Sequence, residues 1–151
     1  MLSNWLAGPG LTSKLNMVLR EKRGYVYTIE ANYQPFVDTG MVNFYFGTDK
    51  KHLYKSIALI EKELQLLKDK TLSTLQLRQM KEKVLGQMLM AEESLSNMMQ
   101  MMGKSLLDYG RVESFSEVEK KVNKLTAPAL QEIAQDIFEQ DKMSRLILLP
   151  Q

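Results

Sequence analysis

The sequence predicts an α+β fold, in which helices cover one face of a small antiparallel sheet. Side chains alternate with a period of two along residues 25–33, which is the pattern of a strand, and a turn leads to a second strand at residues 41–46. After residue 52, apolar side chains recur every three to four residues, which indicates a run of amphipathic helices. The length of 151 residues and the hydrophobic fraction of 44% match one globular domain that spans residues 1–151.

The N-terminal segment is predicted to contain two short helices. The first covers residues 2–6 and ends at the Gly-Pro-Gly loop of residues 8–10, where the glycines give the backbone freedom to turn. Thr12 or Ser13 can cap the second helix, which has leucine and valine side chains on one side and ends at Gly24.

The two strands are predicted to pair as an antiparallel hairpin with a long connecting loop. Strict alternation would place Tyr27 and Ile29 on the same face of the first strand. Proline, aspartate and glycine between residues 35 and 40 favour the turn. A further strand is predicted at residues 145–149, an apolar run that is bounded by Pro150.

Four helices are predicted between the hairpin and the last strand, each beginning at a residue whose side chain can cap it. These residues are Asp49, Ser73, Ser114 and Thr126. The two serines each stand three residues before a Gln or Glu, which is the pattern of a capping box. The second helix has the longest apolar stripe, over residues 77–102, and is expected to bend or break before Gly110.

Composition and charge exclude several classes of site. Twenty Lys and Arg against eighteen Asp and Glu give a net charge of +2, too small for a nucleic-acid-binding surface. The chain has no cysteine and one histidine, His52, so neither a thiolate zinc site nor a site with two His ligands can form within it. We expect His52 on a solvated helix face. No apolar run approaches the roughly 20 residues of a membrane-spanning helix, so we expect neither nucleic acid nor a membrane as a partner.

The order of the elements predicts that the first strand of the sheet lies outside this sequence. The chain begins directly in a helix, at Leu2, and three strands are few for the number of helices that follow. We therefore expect a truncated domain. An exposed sheet edge of this kind would favour self-association.

Arg20 and Tyr27 form the most informative pair of polar side chains. Arg20 falls in the last turn of a predicted helix and Tyr27 lies seven residues later on the following strand, so the two can point into the same space. Both donate hydrogen bonds, which suits them to a peptide carbonyl or a developing oxyanion. The alternative is that Arg20 complements the helix dipole and that Tyr27 is a half-buried strand residue.

Several motifs resemble the second, non-catalytic domain of the pitrilysin/insulinase family of zinc peptidases, which includes the mitochondrial processing peptidase. The main matches are a glycine-containing loop at residues 6–15, Leu-Arg-Glu-Lys-Arg-Gly at residues 19–24, the tyrosine at 27, and Asp-Thr-Gly at residues 38–40. Shorter matches follow at residues 104–110, 125–127 and 148–150, so the resemblance covers nearly the whole chain.

The resemblance implies a zinc metalloendopeptidase in which this chain is the non-catalytic half. In that family the other domain holds zinc through an inverted His-x-x-Glu-His motif, which this sequence does not contain. The resemblance further implies that Arg20 and Tyr27 bind the substrate backbone near the scissile bond, and that the loop with Gly8 and Gly10 takes part in substrate handling. A plain turn between two helices is the alternative for that loop. The implied partner is a zinc-bearing catalytic domain, in the same chain or in another subunit, and this chain alone should be inactive.

Two functions of other classes stay open. The first is a structural or assembly module of the same fold, as in core subunits of a respiratory complex that resemble this family. The second is a helical adaptor that recruits a partner through its methionines. Seven of the eleven methionines lie between Met80 and Met102. Core filling is the simpler interpretation of this cluster, and a pliable apolar surface is the alternative.

Overall fold

The structure is a computed structural model that describes residues 1–36 and 38–149, without the side chain of Gln140. The α+β class predicted from the sequence is confirmed, with helices as the larger part. In chain order the elements are α1 (Leu2–Ala7), a π-helical segment (Asn16–Glu21), β1 (Val26–Pro35), β2 (Gly40–Thr48), α2 (Leu53–Asp69), α3 (Thr74–Glu92), α4 (Leu95–Tyr109), α5 (Phe115–Lys124), α6 (Ala127–Ile137) and a 3-10 turn (Gln140–Lys142).

β1 and β2 form an antiparallel hairpin, as predicted. The pairing runs from Pro35 opposite Gly40 at the turn to Val26 opposite Thr48 at the open end. Within the described residues these two strands make up the whole sheet, so each strand has one edge without a ladder partner. A two-stranded sheet is marginal by itself in water, and this one therefore depends on the helices that pack against it.

A β-bulge interrupts the hairpin at Tyr27. Val26 lies opposite Thr48 and Thr28 lies opposite Gly47, so Tyr27 is an extra residue without a partner on β2. The expectation of strict alternation is wrong at this point, because Ile29 is buried whereas Tyr27 is 66% exposed. The bulge turns the tyrosine away from the face that alternation assigned to it.

The prediction of a strand at residues 145–149 is wrong. These residues have no regular secondary structure, and neither β1 nor β2 pairs with them. Leu146 and Leu148 are exposed. An apolar run forms a strand only where another strand offers its N–H and C=O groups, and no described strand does so here. Pro150, which was expected to bound this run, lies outside the described residues.

Contacts within the chain define two compact units. The sheet unit comprises residues 2–72 and the chain from residue 128 onward, and the helical unit comprises residues 73–127 together with Met1. The expectation of one domain over residues 1–151 stays a prediction. In the described part of the chain, no helix combines the length and the apolar character needed to cross a bilayer.

The core of the sheet unit forms where α1 and the π-helical segment pack against β1. Phe44 of β2 also lies against Phe138, which follows α6, with 6.1 Å between the ring centroids. The buried apolar side chains of this unit are Leu2, Leu6, Ala7, Leu15, Val18, Leu19, Val26, Ile29, Ala31, Ile60, Leu64, Leu67, Leu130, Ala134 and Phe138. α1 and the π-helical segment therefore protect one side of a small sheet, and α2 contacts the π-helical segment.

Both capping boxes predicted for the helical unit are confirmed. The Ser73 hydroxyl accepts a hydrogen bond from the Gln76 backbone N–H at the start of α3, and the Gln76 side chain accepts one from the Ser73 N–H. Ser114 and Glu117 make the same reciprocal pair at the start of α5. These bonds satisfy N–H groups that have no partner inside the helix, so the sequence alone locates both helix starts.

The long apolar stripe of residues 77–102 is divided between two helices. α3 ends at Glu92 and α4 begins after Ser94, whose hydroxyl accepts a hydrogen bond from the Asn97 backbone N–H. The break thus occurs at a capping serine and not at a glycine. α4 ends before Gly110, as expected, where the left-handed φ of 69° favours glycine.

Core filling is the wrong interpretation for most of the methionine cluster. Met80 is buried at 1% exposure, but four of the other methionines are between 46 and 69% exposed. These are Met90, Met99, Met101 and Met102. The apolar surface that the sequence left as an alternative is therefore present on the helical unit.

We expect Leu19→Ala to lower the free energy of unfolding by about 2–5 kcal/mol, because Leu19 is fully buried beneath β1 and its removal leaves a cavity. Leu146→Ala, at a side chain that is 86% exposed, should change it by about 0.5 kcal/mol or less. Urea unfolding followed by circular dichroism measures both. A large loss in Leu146→Ala would contradict the unpaired state of residues 145–149.

Candidate functional site

The connection from the first helical segment to β1 is closed by two backbone hydrogen bonds. The Gly24 N–H donates to the Arg20 carbonyl at 2.8 Å, and the Tyr25 N–H donates to the Leu19 carbonyl at 2.9 Å. Gly24 has a φ of 60°, in the left-handed region that residues with a side chain rarely adopt. The predicted helix stop at Gly24 is confirmed, and it determines how Arg20 lies relative to the strand.

The helical segment that contains Arg20 is wider than an α-helix. The Lys22 N–H donates to the Met17 carbonyl at 3.1 Å, five residues back, which is the bond of a π-helix. Such segments are rare and frequently occur at functional sites. The irregular winding places Arg20 in the last turn, next to β1.

Arg20 has no hydrogen bond among the described residues, and its closest acidic partner there is Glu21, with 4.0 Å between Arg20 Nε and Glu21 Oε1. Arg23 makes a hydrogen bond at the end of the helical segment, where its Nη1 donates to the Val18 carbonyl at 2.7 Å. Arg23 thus binds a C-terminal carbonyl, and Arg20, which lies in the last turn of the segment, keeps the position that its alternative role beside the helix dipole requires. The Arg20 guanidinium keeps its donors for another acceptor.

A groove of about 440 Å³ brings Arg20 together with the glycine loop and with one stretch of β1. Five consecutive strand residues, Thr28 to Asn32, line it. Because side chains of consecutive strand residues point to opposite faces, a groove lined by all five follows the strand backbone. The remaining lining residues are Ala7, Gly8, Pro9, Gly10, Leu11 and Asn16.

The glycine loop is held in place by specific contacts. A Cβ atom on Gly8 would lie 2.5 Å from the Asn4 carbonyl oxygen, so only glycine fits there. Gly10 has a φ of 96°, which also favours glycine. The buried Ser13 hydroxyl donates to the Gly10 carbonyl at 3.4 Å and accepts from Asn16 Nδ2 at 2.8 Å. Ser13 therefore links the loop to the π-helical segment through these two hydrogen bonds. The expectation that its side chain caps the helix backbone is wrong.

Tyr27 lies on the β-bulge but does not line the groove. Its hydroxyl donates a hydrogen bond to Asp49 Oδ1 at 2.6 Å. This bond, together with the negative charge of Asp49, raises the pKa of Tyr27 above its ordinary value of 10.0. The phenol therefore stays protonated and remains a donor at neutral pH. The structure brings Arg20, Gly8 and Gly10 to one groove, and it engages the Tyr27 hydroxyl elsewhere.

Asp49 is a residue whose role the sequence reasoning missed. It was expected to cap α2, but the N-cap position is His52, and Asp49 receives the His52 N–H on its backbone carbonyl at 2.9 Å. Its carboxylate is bound to Tyr27 instead. The pairing joins residues 22 positions apart, and no local pattern reveals it.

The expectation that His52 lies on a solvated helix face is wrong. Its ring stacks on Tyr25, with centroids 4.5 Å apart and planes 17° apart, and the residue is half-buried. Within the described residues, no three His, Cys, Asp or Glu side chains are grouped so that they could hold a metal ion. The residues present therefore do not fit a zinc site.

Residues 1–84 match the family model of the peptidase M16 inactive domain. This match covers more than half of the chain and includes the glycine loop, the π-helical segment and both strands. The chain belongs to the M16 inactive-domain family. The resemblance found in the sequence is confirmed.

Relatives of this M16 domain are named as zinc proteases. It is 26% identical over 147 residues to the zinc protease YmxG of Bacillus subtilis, covering 97% of this chain and 36% of the relative. It is 23% identical over 135 residues to the zinc protease SCO5738 of Streptomyces coelicolor, covering 89% of this chain and 29% of the relative. The chain thus spans about a third of the length of the relatives it matches.

Solved structures share the fold of this M16 domain. The peptidase M16 inactive domain from Pseudomonas fluorescens matches with a TM-score of 0.74 and 19% identity, over 93% of this chain and 33% of that one. A conserved protein from Enterococcus faecalis also matches with a TM-score of 0.74, at 24% identity, over 89% of this chain and 31% of that one. A chain of complex III2 from Candida albicans matches with a TM-score of 0.77 at 16% identity, over 89% of this chain and 34% of that one.

We expect Asp49→Asn to lower the pKa of Tyr27 toward its ordinary value, because the substitution weakens the hydrogen bond that raises this pKa and removes the negative charge that disfavours the tyrosinate. Titration of tyrosine ring carbons by NMR, with Tyr27→Phe to assign the signal, measures the shift. The control is Asp38→Asn, which neutralises an exposed acid in the hairpin loop and should leave the Tyr27 titration unchanged. An unchanged pKa in Asp49→Asn would show that the Tyr27–Asp49 bond does not form in solution.

Proposed function

We propose that this M16 domain is the substrate-holding half of a zinc endopeptidase and that it binds an extended peptide in the groove along β1. The observation that supports this most is the meeting of three features at one place. They are a strand edge, a loop without side chains at Gly8 and Gly10, and the Arg20 guanidinium, which has no hydrogen bond of its own among the described residues.

The strand edge supplies the main-chain part of this binding. Among the described residues β1 pairs with β2 alone, so its other edge presents N–H and C=O groups that an added strand can use. The stretch from Thr28 to Asn32 is about 16 Å long, which matches a peptide of five extended residues. On the other side of the groove, a Cβ on Gly10 would meet no atom within 4 Å, so this position leaves room for a peptide backbone to approach closely.

Arg20 supplies the charged donor of the site. A guanidinium binds a peptide carbonyl through a charge-assisted hydrogen bond, and this bond strengthens as negative charge develops on the oxygen during cleavage. Tyr27 is the second donor in this proposal, and it must first exchange its bond to Asp49 for one to the substrate. Glu30, which also lines the groove, favours a basic side chain on the peptide.

The cleavage itself belongs to the partner in this proposal. Members of the M16 family pair with a catalytic domain or subunit, and zinc in the intact enzyme would be held there. A bound zinc ion supplies an activated water for hydrolysis. This chain binds and orients the peptide and closes the cleft over it. The proposal includes that the longer parent protein cleaves peptides.

A structural or assembly module of the same fold is the second candidate. The bond from Tyr27 to Asp49 favours it, because the bond ties the bulge of β1 to the end of β2 and serves stability without any substrate. In such a module the groove would have no peptide, and the parent protein would have no peptidase activity. Substitutions in the groove separate the two candidates.

In the intact enzyme, Arg20→Ala should lower kcat/KM by about 100-fold to 1,000-fold, as expected when one transition-state donor is lost. Arg20→Lys should recover only part of this, because an ammonium cannot reproduce the planar fork. Tyr27→Phe, which removes one hydroxyl, should lower kcat with little loss of stability.

The matched control is Lys22→Ala, at an exposed basic residue that directly follows the same segment, which should leave turnover unchanged. Kinetics and thermal unfolding are measured on the same preparations. Near-normal turnover in a folded double variant, Arg20→Ala with Tyr27→Phe, would overturn the substrate-binding role.

The isolated chain should retain no stoichiometric zinc after dialysis, because its described residues offer no group of three ligands. Elemental analysis of the dialysed protein measures this, and a zinc-bearing enzyme dialysed in parallel is the control. One zinc ion per chain after dialysis would contradict the assignment of the metal to the partner.

A further inference from the structure

α4 exposes a continuous apolar stripe. None of the residues in α4 is buried, and the five stripe side chains are between 46 and 80% exposed. They are Leu95, Met99, Met102, Leu106 and Tyr109. Among the described residues of the helical unit, only Met80 and Val122 are buried apolar side chains, so this unit has a small core and a large uncovered apolar face.

The stripe has the spacing of a helix-pairing seam. Its members follow one another at intervals of four, three, four and three residues. That is the a/d pattern by which one helix packs against another at a small crossing angle. Residues 95–103 include no charged side chain, and the only charges further along α4, Lys104 and Asp108, pair with each other at 2.9 Å. The face therefore fits a second apolar helix.

We propose that the occupant of this face is α4 of a second copy of the chain, antiparallel to the first across a twofold axis at Met102. This arrangement is self-complementary, as an interface between identical subunits must be. Leu95 then lies opposite Tyr109 of the other copy, Met102 meets itself, and Met99 and Leu106, three and four residues from the axis, lie near each other. Gly103 stands beside the axis, where the absence of a side chain lets the two backbones approach.

The charges at the two ends of α4 select the antiparallel direction. Glu92 and Glu93 precede the helix and Arg111 follows it. Glu93 and Arg111 are each nine residues from Met102, so an antiparallel pair centred there places each Glu93 beside Arg111 of the other copy. A parallel pair would place the glutamates side by side. Arg111 uses one nitrogen, Nη2, for Glu113, so its other donors can serve this bond.

This dimer surface lies on the helical unit and is independent of the proposed peptide groove, which lies on the sheet unit. Failure of one proposal therefore leaves the other in place. A catalytic partner domain is the competing occupant of the stripe. In that case the chain alone would stay monomeric in solution.

Sedimentation of the 151-residue chain at micromolar concentrations tests the proposal. The chain should sediment as a dimer, and Met102→Lys should raise the dissociation constant at least about 100-fold, because the axis brings the two new charges together. The matched control is Leu107→Lys on the same helix, at a side chain that is 88% exposed and off the stripe. It should change the constant by less than about threefold.

Two further variants test the direction and the register. Glu93→Lys should weaken the dimer and Glu93→Lys with Arg111→Glu should restore it, because the two charges are exchanged across the interface. Since the chain has no cysteine, Met102→Cys introduces a single thiol at the axis, and mild oxidation should link two chains through it. Leu107→Cys should stay unlinked.

Circular dichroism must show that each variant is folded. A monomeric wild-type chain would overturn the proposal. A dimer that Met102→Lys leaves intact would also overturn it, because it would indicate pairing through the sheet edge. Equal cross-linking of Met102→Cys and Leu107→Cys would overturn it as well.

Discussion

The turn at Gly24 is the constraint on which the candidate site depends. Its left-handed backbone allows the Gly24 and Tyr25 N–H groups to close on the Arg20 and Leu19 carbonyls, and the chain then passes directly from helix to strand. A residue with a Cβ would be strained here by roughly 1–2 kcal/mol. Because the turn is short, the side chain of Arg20 and the backbone of β1 must share one groove.

Two local irregularities determine the environments of the two donors. The π-helical winding of residues 16–21 determines the position of Arg20, and the β-bulge determines that of Tyr27. Both features are enriched near functional sites because each redirects a side chain that regular structure would place elsewhere. In this domain Arg20 lines the groove, while the Tyr27 hydroxyl bonds to Asp49.

The two units differ in how completely they bury their apolar residues. The sheet unit encloses α1 and β1 side chains in a packed core, whereas α4 of the helical unit buries none. Contiguous exposed apolar surface on a soluble protein is typical of an interaction site. The methionines there suit such a surface, because their flexible, polarisable side chains adapt to a partner.

The sequence by itself determined the features that depend on near neighbours. The hairpin, the capping boxes at Ser73 and Ser114 and the stop at Gly24 follow from side chains and backbone groups within a few residues of one another. The motif at residues 19–24, with the glycine loop, was sufficient to indicate the family.

Only the tertiary structure decided the features that depend on distant partners. The extra residue at Tyr27 exists only in relation to β2, and the role of Asp49 depends on a residue 22 positions away. Residues 145–149 have strand composition, but composition cannot supply the neighbouring strand that a ladder requires. The periodicity of residues 77–102 shows that one helix face is apolar, but it does not show that Met80 is buried while Leu95 and Met102 stay exposed. A pattern along the chain predicts what a segment can bury, and its neighbours in space determine what it does bury.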